Sequence, residues 1–68
     1  MRELFYWVVR LNKLYLTSWD IKGVSADSDL QKAFRYQNER DATFVAGKVK
    51  GEVVKCRMNR RGLEVVRT

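Results

Sequence analysis

Two apolar-rich runs open the chain, Phe5-Tyr6-Trp7-Val8-Val9-Arg10-Leu11 and Leu14-Tyr15-Leu16-Thr17-Ser18-Trp19-Asp20-Ile21, both rich in aromatic and β-branched types. That pattern belongs to strands. Only Asn12-Lys13 separates the two runs, and Asn tolerates the positive φ of a type I′ turn, so the segment predicts a β-hairpin. Counting outward from the turn sets Leu11 opposite Leu14, Val9 opposite Leu16, Trp7 opposite Ser18 and Phe5 opposite Asp20 on one mainly apolar face. The other face pairs Arg10 with Tyr15, Val8 with Thr17, Tyr6 with Trp19 and Leu4 with Ile21, a mixture suited to a half-wet surface.

From Lys22 to Asp29 the chain is rich in Gly, Ser and Asp without apolar periodicity, which predicts a loop. Asp27 and Asp29 lack the donor spacing and closing Glu of a calcium loop, so they read as turn residues. Leu30 to Tyr36 alternates and predicts a short edge strand, with one helical turn over Asp29 to Ala33 as the competing assignment. Asn38 followed by Glu39 and Asp41 is a helix start, and Ala42, Val45, Ala46 and Val49 form one apolar stripe, predicting a helix from Glu39 to Lys50. Gly51 then stands where a left-handed C-cap belongs. Gly47 inside the helix implies close packing against a strand or an early end. The last segment predicts a second hairpin, Glu52 to Met58 and Leu63 to Thr68 around Asn59-Arg60-Arg61-Gly62, a type I turn with a glycine bulge. Met58 should face Leu63, Cys56 Val65, and Arg57 Glu64.

These elements predict a single α+β domain over residues 1–68, an antiparallel sheet of four to five strands with one helix packed on one face. At 68 residues the chain can build one modest core and little room for a deep cavity. No apolar run reaches the roughly 20 residues of a membrane helix, and no signal-peptide layout opens the chain, which points to the cytoplasm and to no membrane partner.

Candidate chemistry is thin. Histidine is absent and Cys56 is the single cysteine, so the usual general base and zinc ligands are missing, and Cys56 reads as a small buried apolar residue. No catalytic residue, cofactor or metal site is predicted; the expectation is a protein that is not an enzyme. Charge adds more. Residues 1–47 carry seven basic and six acidic side chains, while residues 48–68 carry seven basic and two acidic, so nearly all of the formal +6 lies in the last third.

Two kinds of contact surface follow. One is aromatic: Tyr6, Arg10, Tyr15 and Trp19 on the hairpin, and Phe44 with Arg40 and Lys48 one turn to either side on the helix, are residue types enriched at binding hot spots. The alternative for these rings is to cover a sheet edge or a loop. The other surface is basic: Lys48, Lys50, Lys55, Arg57, Arg60, Arg61 and Arg67 could neutralise phosphates, with Arg60 and Arg61 raised on the hairpin tip.

The element order, with Tyr6-Trp7-Val8-Val9-Arg10, Tyr15-Leu16-Thr17-Ser18, Ala33-Phe34-Arg35-Tyr36, Asp41-Ala42 and Gly51-Glu52-Val53-Val54, resembles short uncharacterised proteins encoded by phages and prophages of Gram-positive bacteria. The likeness covers most of the first 58 residues; residues 59–68 extend past the usual end of such proteins. It implies a virus-encoded accessory protein acting in the bacterial cytoplasm, one that blocks a host defence or replication factor, and supplies no functional residues. The sequence therefore predicts a small non-catalytic protein, monomer or homodimer, that binds a host protein or nucleoprotein complex. Direct nucleic-acid binding is the alternative.

Overall fold

The computed structural model describes residues 4–66. Five strands form one antiparallel sheet in the order β3-β2-β1-β4-β5, where β1 is Leu4–Leu11, β2 Leu14–Asp20, β3 Gly23–Asp27, β4 Glu52–Asn59 and β5 Gly62–Val65. One helix, α1 (Glu39–Val49), and a 3-10 turn (Leu30–Lys32) complete the α+β fold. The most apolar strand, β1, takes the centre. It pairs with β4 along nearly its whole length, from Leu4 opposite Met58 to Arg10 opposite Glu52.

The helix forms as its sequence directs. Asn38 caps it by accepting the Asp41 N–H at 2.9 Å, and Ala42, Val45 and Ala46 are buried with Val9 and Leu16 on one face of the sheet. Its C-terminus differs from expectation. Lys50, not Gly51, takes the left-handed conformation (φ 59°), and the Gly51 N–H reaches back to the Ala46 carbonyl. Gly51 serves close approach instead: a Cβ there would lie 2.7 Å from the Arg10 carbonyl oxygen and 2.9 Å from Leu11 Cδ2. Gly47 packs against nothing within 4 Å of a would-be Cβ, and the helix runs on past it.

The opposite face of the sheet is drier than the hairpin pattern implies. Val8, Ala33, Cys56 and Leu63 are buried there, with Tyr6, Tyr15, Leu30, Val54 and Met58 packed around them. The 3-10 turn covers this face. Asp29 caps it by accepting the Gln31 N–H, so the helical-turn assignment prevails over a strand at Leu30–Lys32. Gln31 then pins the turn to β5: its amide donates to the Leu63 carbonyl at 2.7 Å and accepts the Leu63 N–H at 2.8 Å.

The first hairpin forms at Asn12-Lys13, but positive φ falls on Asn12 alone, the pattern of a II′ turn rather than I′. Its ladder is confined to Leu11 opposite Leu14 and Arg10 opposite Tyr15. Beyond that β2 leaves β1, so the expected pairs Trp7 with Ser18, Phe5 with Asp20 and Tyr6 with Trp19 do not form. Two partners draw it away. A bulge between Leu16 and Ser18 turns the strand, and β3, in what reads as a loop, pairs with it from Tyr15–Asp27 to Asp20–Gly23. Extended chain around Phe34–Tyr36 bonds to both strands where they part. Phe34 N–H donates to the Leu16 carbonyl at 2.9 Å, while Tyr36 exchanges two backbone hydrogen bonds with Trp7 at 2.8 and 2.9 Å.

The second hairpin keeps its predicted register, with Met58 opposite Leu63, Arg57 opposite Glu64 and Cys56 opposite Val65. Asn59 Oδ1 accepts the Arg61 N–H across the turn, and Gly62 has φ 111° as a glycine bulge permits.

Candidate functional site

The parting of β1 and β2 has a consequence on the helix side of the sheet. Between β2, the Phe34–Tyr36 segment and α1 lies an open groove of about 440 Å³, lined by Thr17, Ser18, Trp19, Phe34, Tyr36, Asp41, Phe44 and Val45. Each element delivers its ring by a local rule. In extended chain Phe34 and Tyr36 share a side, two residues apart, and their rings lie 4.7 Å apart. The β2 bulge leaves Trp19 where its ring meets Phe44 edge-on at 6.5 Å. Phe44 stands beside the buried Val45 on the helix flank, and the Lys48 ammonium sits 5.2 Å from its ring centroid.

Three of these rings stay open to solvent, Trp19 at 41%, Phe34 at 50% and Phe44 at 57% exposed. That departs from the ordinary disposition of large aromatics, which fold inward when free to do so. Among the described residues Asp41 is the one charged side chain that lines the groove. Its carboxylate accepts from the Asn38 amide at 3.1 Å, and it lies near enough to Tyr36 to help burial raise the phenol above its ordinary value.

The candidate residues named from sequence fall into separate places. Trp19 and Phe44 come together in the groove. Tyr6 and Tyr15 are half-buried on the opposite face, packed around Val8 and Cys56, and so act as core cover there. Arg10 stands opposite Tyr15 at the hairpin end, its Nε donating to the Asn12 carbonyl and lying 3.6 Å from Glu52. Tyr6, Arg10, Tyr15 and Trp19 are thus not one surface: Trp19 has gone to the other side.

The basic residues divide as well. Lys50 caps the helix and Lys48 reaches Phe44. Lys55 rests its ammonium 4.4 Å over the Phe5 ring, and Arg57 beside it bonds to Glu64 through Nε at 2.9 Å and through Nη2. That guanidinium holds the Glu64 carboxyl below the usual range. Arg60 and Arg61 are exposed at the hairpin tip; Arg67 lies outside the described residues. The Cys56 thiol is fully buried and pushed up by burial, the state of an unreactive core sulfur.

Of the groove residues only Trp19 and Phe44 are candidates from sequence; Phe34, Tyr36 and Asp41 are the chief ones that pattern reading did not single out for binding. Phe34 and Tyr36 carried a usable signal, two aromatic residues two positions apart just before a helix cap; what they face depends on where β2 goes.

No family model, curated protein or solved structure matches the chain. Among the described residues no group of three or more potential ligands could hold a metal ion, and no helix is long and apolar enough to cross a membrane. What the arrangement offers chemically is a contact surface: tilted and edge-on rings, hydroxyls from Thr17, Ser18 and Tyr36, and one carboxylate.

Proposed function

We propose that this is a small non-catalytic binding protein that modulates a larger protein or nucleoprotein complex, and that the groove between β2 and α1 is its principal contact. The observation that carries this reading is the cluster of Trp19, Phe34, Tyr36 and Phe44, left open on a chain with few rings to spare. Aromatic residues fixed by few rotatable bonds lose little entropy when they bind, and so dominate recognition energetics. We take the partner to be a bacterial host protein, a defence or replication factor among them, as the resemblance read from the sequence implies.

The test is paired capture from nuclease-treated lysate of a Gram-positive host, using the native chain and a Trp19→Ala/Phe44→Ala variant. One dominant protein should be recovered by the native chain and lost with the variant, whose circular dichroism stays unchanged. Equal recovery by both chains would refute the groove as the contact.

Direct nucleic-acid binding remains the second reading, favoured by Lys55 on Phe5, Arg57 beside it, and Arg60 and Arg61 at the tip of the same hairpin. Against it, Arg57 is engaged by Glu64 and Arg10 lies beside Glu52, which lowers the charge left for phosphates. A gel shift at low salt, weakened by Arg60→Ala/Arg61→Ala and steeply by added salt, would support this reading.

A further inference from the structure

The lining of the groove is selective in sign as well as apolar. We propose that it takes a cationic side chain, an arginine presented by a partner polypeptide; this rests on the groove being the contact surface and adds what the groove recognises.

Four rings bring electron-rich faces to one concavity, and among the described residues the single charged side chain lining it is the carboxylate of Asp41. Among the described residues no Lys or Arg lines it, although the chain carries a formal +6. An acidic and aromatic recess on a basic protein is complementary to a cation, with Lys48, against Phe44 at the rim, a like charge beside it. Lys48 shows the preference within the molecule itself, its ammonium already drawn to the outer ring, Phe44. Asp41 is held in place for the role, because Asn38 binds both its backbone N–H at 2.9 Å and its carboxylate at 3.1 Å.

Arginine fits this better than lysine. Its guanidinium is planar and weakly hydrated, so it stacks on a ring while its N–H fork reaches a carboxylate, whereas an ammonium is a compact point charge that holds its water. A recess of about 440 Å³ admits a whole arginine side chain with part of the backbone on either side.

The experiment titrates the isotopically labelled full chain with three capped tripeptides, Gly-Arg-Gly, its citrulline counterpart and Gly-Leu-Gly, following the Trp19 indole N–H by NMR. Citrulline keeps arginine's shape and removes its charge. The arginine peptide should move the Trp19 resonance with a dissociation constant in the millimolar range, about tenfold tighter than citrulline. Asp41→Asn should remove most of that preference, weakening arginine binding far more than citrulline binding, while the backbone cap at Asn38 survives the substitution. Equal binding of arginine and citrulline, tighter binding of leucine, or no shift with arginine up to roughly 10 mM would each overturn the proposal. Tighter leucine binding would still leave the groove as an apolar contact surface. Arginine selectivity together with partner capture that survives Trp19→Ala/Phe44→Ala would instead refute the groove's role in partner binding.

Discussion

Two glycines four residues apart should respond to the same substitution with opposite signs. At Gly47 a methyl group meets open space on an exposed helix face, so Gly47→Ala removes only the entropic cost of glycine in a helix interior and should stabilise by about 1 kcal/mol. At Gly51 the unfolded-state gain is similar, about 0.4–1 kcal/mol. The folded state, however, must find room for a Cβ that would stand 2.7 Å from the Arg10 carbonyl oxygen, 2.9 Å from Leu11 Cδ2 and 3.0 Å from Val9 Cγ1. The nearest atom is backbone of the central strand, which cannot swing aside, and such overpacking costs about 1–3 kcal/mol. Gly51→Ala should therefore destabilise by a net of about 1–2 kcal/mol. Urea unfolding followed by tryptophan fluorescence measures both variants, and in a domain of this size each kcal/mol moves Tm by about 4–8 °C. A neutral or stabilising Gly51→Ala would refute the close approach of helix end to β1, and with it the seating of α1 that forms one wall of the groove.

Four other outcomes test the rest of the fold. Gln31→Ala strips both side-chain hydrogen bonds from Leu63 and should cost about 1–3 kcal/mol by urea unfolding, since Leu63 is buried and its backbone is only part-accessible to water. Leu16→Ala, at a fully buried site between sheet and helix, should cost about 2–5 kcal/mol in the same assay. Asn38→Ala removes the helix cap and should cost about 1 kcal/mol, read from the loss of helical circular dichroism on heating. Glu64 has a folded-state pKa below its unfolded value, so its pairing with Arg57 contributes above the ordinary glutamate range and is lost as pH falls through the depressed value. Glu64→Gln should accordingly be less stable than the native chain at neutral pH and converge with it in acid, measured by unfolding across pH.

Much of this protein is written in short-range pattern. The cap at Asn38, the stripe Ala42-Val45-Ala46-Val49, and the Asn12-Lys13 and Asn59–Gly62 turns depend on residues a few positions apart, where hydrogen-bond geometry and side-chain period leave little choice. The register of the second hairpin follows from the same local logic, and so does the α+β class. The groove does not, because it exists only where β2 abandons β1. That departure results from β3 pairing on one flank, a neighbour in sequence, and Phe34–Tyr36 bonding on the other, where Phe34 reaches back to Leu16 and Tyr36 to Trp7. Strand β3 itself left no apolar alternation to read, since an edge strand with both faces largely wet has no need of one. Sequence by itself determined which residues become the helix and the two hairpin turns; tertiary structure alone decided that Trp19, Phe34, Tyr36 and Phe44 meet, because backbone pairing between segments sets where a ring ends up and side-chain period sets only which way it points.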